Sequence, residues 1–137
     1  MRFAKSTFLI AGIYGIIALV PMYFMEASMA EKGTPAAELL SRPEFFYGFI
    51  GVALAWQIVF LIMSRDPLRY RPLMLVAVLE KVSFGMAVPM LFLENRAPTQ
   101  LIAPALIDML LGVLFLVSYA LTSKQFQEKK LDKEIVR

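Results

Sequence analysis

Charged residues are so unevenly spaced along this chain that four long windows hold almost none of them. The windows are Ser6 to Met25 (20 residues), Phe45 to Ser64 (20), Pro72 to Leu93 (22, broken by Glu80 and Lys81) and Ala97 to Ser123 (27, broken by Asp108). Together they take up 89 of 137 residues. Helix rises ~1.5 Å per residue, so about 20 apolar residues cross a hydrocarbon core ~30 Å thick, and each window is long enough. With 59% of its residues hydrophobic and 18% charged, a chain of this length has too little polar surface for an ordinary water-soluble domain. The sequence therefore predicts an all-α fold, an integral membrane four-helix bundle forming one membrane domain over 1–137. Its transmembrane helices are expected at about 6–25, 45–64, 72–93 and 100–123, with an outer loop at 26–44 and a tail at 124–137.

The chain has no histidine and no cysteine. Their absence removes the side chains that hold haem iron, iron-sulfur clusters and most zinc and copper sites, and also those of thiol redox relays. Nucleophile mechanisms that use an imidazole base are excluded with them, and no glycine-rich phosphate loop is present. No catalytic residue, metal site or cofactor is assigned, and the chain is not read as an enzyme. The net charge of +3 and pI of about 9.3 do not point to nucleic acid, because the basic residues sit at helix ends rather than on one face of a soluble fold.

Those helix-end charges set an orientation. Arg2, Lys5, Arg65, Arg69, Arg71, Lys124, Lys129, Lys130, Lys133 and Arg137 fall on one side, and only Lys32, Arg42 and Arg96 on the other. The excess of Lys and Arg marks the cytoplasmic side, which places both termini and the 65–71 loop inside. Arg2 and Lys5 before an apolar stretch, with Ser28-Met29-Ala30 after it, also fit a secretory signal. The apolar run of about 20 residues exceeds the 7 to 15 of such a region, so the first window is read as a span.

In the outer loop, Thr34-Pro35 is placed to start a short helix through Leu40, and Ser41 with Glu44 forms a capping box before the second span. The short 65–71 connection predicts a tight hairpin that makes spans two and three neighbours. The 124–137 tail fits either a helical continuation near the anionic inner leaflet or a solvated tail. Small residues at Ala11, Gly12, Gly15 and Ala18, and at Gly48, Gly51 and Ala55, would let helices approach closely. Pro89 removes a helical bond from the Gly85 carbonyl, so a kink is expected there. Tyr23, Phe24, Phe45, Phe46 and Tyr70 read as interfacial aromatics.

The most expensive residues are the ionisable ones inside the windows. Counting ~1.5 Å per residue from the inner charges puts Tyr14, Trp56, Gln57, Glu80 and Lys81 at one depth, roughly 13 Å up and near the bilayer midplane. They form the candidate ligand or proton site. Glu80 and Lys81 project about 100° apart on a helix, so each is expected to seek a partner on another span. Asp108 counts into the outer half, level with Tyr23 and Tyr47, as a second polar site. A Lys81–Asp108 salt bridge is not expected, because the two side chains lean in opposite directions toward their own helix N-termini.

The segments Gly48-Phe49-Ile50-Gly51 through Trp56-Gln57, Arg65-Asp66-Pro67 and Leu79-Glu80-Lys81 resemble the small four-helix bacterial inner-membrane proteins grouped as DoxX-like. The resemblance covers spans two and three and the overall architecture. It implies a four-helix bundle in a bacterial inner (plasma) membrane and no particular activity.

The function expected is that of a multi-pass membrane protein that binds a small amphipathic or apolar ligand at the midplane polar site, or an accessory subunit that uses the layer as a polar clasp. The alternative is a proton-coupled small-molecule transporter using Glu80. Expected partners are the lipid bilayer, a small amphipathic ligand, and a second copy or another membrane protein. An enzyme with Glu80 and Asp108 as acid and base is disfavoured, since six or seven residues of helix rise separate them by roughly 9 to 10 Å along the membrane normal.

Overall fold

The computed structural model describes residues 1–25 and 43–135. These residues contain no strand, and four helices are long and apolar enough to cross a membrane. The first is α1 (Arg2–Leu19), extended by a 3-10 turn over Val20–Phe24. It is followed by α2 (Pro43–Arg65), α3 (Arg71–Leu93) and α4 (Ile102–Leu121), the last led in by a 3-10 turn at Thr99–Leu101. Counting those turns, each candidate span has 23 residues, about 35 Å of helix. A fifth helix, α5 (Ser123–Ile135), continues the chain beyond α4, which is the helical form of the tail. The short helix from Thr34, the Ser41 cap, the Ser28-Met29-Ala30 signal reading and the outer charges Lys32 and Arg42 lie outside the described residues.

Local chemistry sets the helix ends. Asp66 and Pro67 stop α2, since a proline nitrogen cannot donate to the helical ladder. The Asp66 carboxylate accepts the Arg69 N–H at 3.1 Å, and its carbonyl accepts the Tyr70 N–H at 3.2 Å, closing the turn. Pro72 then falls in the first turn of α3, where its missing N–H costs nothing. At the far end of α3, Asn95 takes a left-handed φ of 58° and the Arg96 N–H returns to the Leu91 carbonyl at 2.8 Å, a closure that asparagine tolerates. α3 continues through Pro89 to Leu93.

The most extensive backbone approaches are between α1 and α2 and between α3 and α4, with a lesser one between α1 and α4. The hairpin inference was therefore incomplete. α2 and α3 share a tight turn, yet their backbones approach far less, and large side chains fill the seam between them. Glycine explains the difference. A Cβ built on Gly15 would overlap the Gln57 amide, and one on Gly12 would stand 3.0 Å from the Gln57 carbonyl, so α1 can come this close to α2 only with glycine at both positions. Gly48 has nothing within 4 Å of such a Cβ, so the small residues predicted on α2 are not all used in packing.

One apolar core joins all four spans: Ala4, Phe8 and Ala11 from α1, Phe60 and Met63 from α2, Met74 and Ala77 from α3, and Leu111 and Phe115 from α4. At its centre Phe8 stacks on Phe115 at 4.4 Å, and Phe60 meets Phe115 edge-on at 5.1 Å. A second cluster, Phe46 and Ile50 with Leu19, Met22, Tyr23, Tyr47 and Leu54, draws only on α1, its 3-10 extension and α2. Phe46 is thus a core residue rather than the interfacial aromatic expected from its position, while Phe24 and Phe45 are exposed. The outward surface remains apolar, with Ile10, Ile17, Val52, Ile58, Leu79, Leu106 and Leu110 all more than half exposed. Such a surface matches a hydrocarbon surrounding rather than water.

Candidate functional site

The buried charges of α3 and α4 form one group. Lys81 Nζ lies 3.1 Å from Asp108 Oδ1 and 3.4 Å from Glu80 Oε2, with the three side chains only 6%, 16% and 19% exposed. The Lys81–Asp108 bridge that sequence reasoning rejected is therefore the shorter of the two. Both oxygens lie within reach of a single nitrogen, at 3.1 and 3.4 Å, which limits their separation to 6.5 Å and corrects the larger gap expected along the membrane normal.

The difference lies in the reference for α4: Lys124, the basic residue that follows the fourth window, belongs to α5, beyond the end of the span. Arg71, at the start of α3, is level with Tyr119: its Nη2 donates to the Tyr119 carbonyl at 3.2 Å, and its guanidinium lies 3.6 Å over the Tyr119 ring. Shifting the register brings Asp108 closer to Lys81. Gly85 brings the helices together, since a Cβ there would press on the Met109 side chain and stand 3.2 Å from the Ala105 carbonyl, while one on Gly112 would meet the Lys81 Cβ in ordinary contact at 3.7 Å. From there the four methylenes of the lysine reach one helical turn toward the C-terminal end of α3 to meet Asp108, against the usual lean.

The α2 wall of the site is aromatic. Lys81 Nζ stands 5.4 Å from the centre of the Phe60 ring, which is fully buried, and Trp56 lies 6.0 Å from Phe60 on the same helical face. Phe60 was not singled out from the sequence, although its place four residues after Trp56 puts it on that face. One turn after Glu80, Phe84 of α3 meets Phe49 of α2 at 6.1 Å. Glu80 Oε2 is buried with no aligned hydrogen-bond donor, although the lysine ammonium is close.

The other residues expected at this depth point elsewhere. Gln57 is 1% exposed, but it faces α1: its Nε2 donates to the Ala53 carbonyl at 2.9 Å, and its Oε1, which has no hydrogen-bond donor, lies against Gly15. Tyr14 is 37% exposed on α1, turned away from the buried stripe of Ala4, Phe8, Ala11 and Gly15. Equal depth by residue count says nothing about which way a side chain points around its helix. Tyr23 and Tyr47 do come together, stacked at 5.7 Å across the second cluster, while Asp108 takes Lys81 as its partner.

No protein-family model, curated protein or solved structure matches this chain.

Proposed function

We propose that the chain is a multi-pass protein of a bacterial inner membrane, with both termini and the 65–71 loop in the cytoplasm, that binds a small amphipathic molecule at the Glu80–Lys81–Asp108 site. One observation carries this reading: two carboxylates and one lysine are buried side by side within otherwise apolar helices. Ionisable groups inside a span are costly and mark ligand or ion sites by default. The ten-to-three division of basic residues supports the orientation, and the resemblance to DoxX-like proteins supports the bacterial membrane.

The test compares heat unfolding of detergent-purified wild type and Glu80→Gln, each with and without membrane lipid extract. Glu80→Gln keeps shape and amide hydrogen bonding while removing the charge. A variant as stable as wild type that has lost a shift induced by the extract supports a ligand site. A variant that unfolds earlier, with no extract shifting either protein, makes the triad a structural clasp of an accessory subunit. The excess of one carboxylate over lysine favours a second reading, proton-coupled transport, in which Glu80 exchanges a proton for substrate.

A further inference from the structure

We propose that the ligand of this site is a lipophilic organic cation that reaches Glu80 through the seam between α2 and α3; this inference rests on the ligand-binding reading above. Three independent observations converge on that chemistry. The first is charge. With both acids ionised, Glu80 and Asp108 outnumber Lys81 by one negative charge, and a buried site is more stable when that charge is met. Asp108 holds the ammonium at 3.1 Å, whereas Glu80 is at 3.4 Å with no aligned donor, so Glu80 is the acid left to take a second cation.

The second observation is the wall. Phe49, Trp56 and Phe60 recur at i, i+7 and i+11 on one face of α2, and Phe84 stands one turn from Glu80 on α3. Phe49 meets Phe84 across the seam, and Phe60 already lies beneath the Lys81 ammonium. Aromatic faces beside a carboxylate recognise a cation whose charge is spread over apolar groups. A small metal ion would instead meet the ammonium that already lies between the two acids.

The third is access. α2 and α3 have the least backbone contact among neighbours in the chain, and side chains alone close the gap between them. Phe49 is 51% exposed and Phe60 is fully buried, so the aromatic face leads from the outer surface of the bundle to the charges. An amphipathic cation dissolved in the bilayer would enter sideways along that face, without crossing either tight helix pair.

The experiment uses the full chain in phosphatidylcholine nanodiscs, with equilibrium binding of tetraphenylphosphonium, the same-shaped anion tetraphenylborate and neutral triphenylphosphine oxide. Trp56, the sole tryptophan, supplies a second readout through its emission. Saturable binding of tetraphenylphosphonium alone is expected, weakened at least tenfold by Glu80→Gln and severalfold by Phe49→Leu. Asp108→Asn removes the same excess charge from a different helix and is expected to weaken binding similarly, so a poorly folded Glu80→Gln leaves the test intact. If tetraphenylborate or the phosphine oxide binds as tightly and the charge variants change nothing, the inference falls while a ligand site remains. If none of the three binds saturably, both the inference and the ligand-binding reading fall.

Discussion

Lys81 on α3 and Asp108 on α4 form an ion pair of 3.1 Å where Gly85 lets the two helices approach. The pair sits within the tight α3–α4 half of the molecule, and Glu80 completes it from the same helix as the lysine. The three charges depend on one another unequally, and their removal has an expected order.

Lys81→Met leaves two carboxylates facing each other without a cation, and breaking a buried pair in this way costs about 3 to 5 kcal/mol. Asp108→Asn costs less, because Lys81 keeps Glu80. Glu80→Gln costs least, because the shorter Lys81–Asp108 pair stays intact. Unfolding of the three purified variants by heat or by titrated denaturing detergent should rank them in that order. A Glu80→Gln protein less stable than Lys81→Met would show that the lysine is not the hub of the group.

The α1–α2 contact makes a separate prediction. A methyl group at Gly15 would overlap the Gln57 amide, so Gly15→Ala is expected to destabilise by about 1 to 3 kcal/mol. Adding Gln57→Ala to it should recover stability, since the methyl then occupies space the amide has left. Gly48→Ala meets nothing and should be neutral or slightly stabilising. A double-mutant cycle on unfolding free energies reads the coupling, and strict additivity of the Gly15 and Gln57 changes would exclude the contact.

Much of this was legible in the sequence because it depends on one-dimensional quantities. Four windows nearly free of charge predict four long apolar helices, and Asp66-Pro67 predicts where α2 stops. The cost of burying Glu80, Lys81 and Asp108 marked them as the residues to explain. What was lost is azimuth and register. Tyr14 and Gln57 count to the same depth as Glu80, yet one is exposed and the other faces Gly15, because direction around a helix is set by packing partners that no single span contains. Lys124 looked like the inner end of α4, but Thr122 marks the end of that helix and Ser123 begins the next. Arg71 against Tyr119 shows the true level and has no sequence signature.

Arg71 itself is expected to hold the end of the bundle at which α3 begins. Its guanidinium lies over Tyr119 and 5.1 Å from Phe126, joining α3 to both α4 and α5. Arg71→Lys keeps the charge but loses the planar stack and the fork of donors. The α4–α5 joint should loosen, with faster amide hydrogen exchange around Thr122 to Phe126 and a stability loss of about 1 kcal/mol. Unchanged exchange there would mean that the Thr122 hydroxyl, bonded to the Ser118 carbonyl at 2.8 Å, holds the joint alone.

The proposed orientation is open to a direct chemical test, because the chain contains no cysteine and a single introduced thiol has no background. Arg69→Cys lies in the turn between α2 and α3, and Glu94→Cys lies at the opposite end of α3. With cytoplasmic termini, a membrane-impermeant thiol reagent should label Glu94→Cys in intact spheroplasts and Arg69→Cys only after permeabilisation. The reverse pattern would overturn the orientation and with it the assignment of the basic residues to the inner face.

Proton-coupled transport makes one further demand on the triad, which equilibrium binding can check. If a proton and an organic cation compete for the same excess carboxylate, lowering the pH must weaken tetraphenylphosphonium binding, by up to about tenfold per pH unit where one proton is displaced. The charged groups described around Glu80 are Lys81 on its own helix and Asp108 on α4, while α2 offers the uncharged rings of Trp56 and Phe60. The two acids share one lysine, so the midpoint of the change belongs to the pair rather than to either residue. Affinity should fall on the acidic side and level off on the alkaline side in wild type. In Asp108→Asn and Glu80→Gln, each left with one acid for one lysine, the slope should flatten. A wild-type affinity constant across the whole range would mean that no proton leaves when the cation enters, and coupling through Glu80 would then be excluded while cation binding stands.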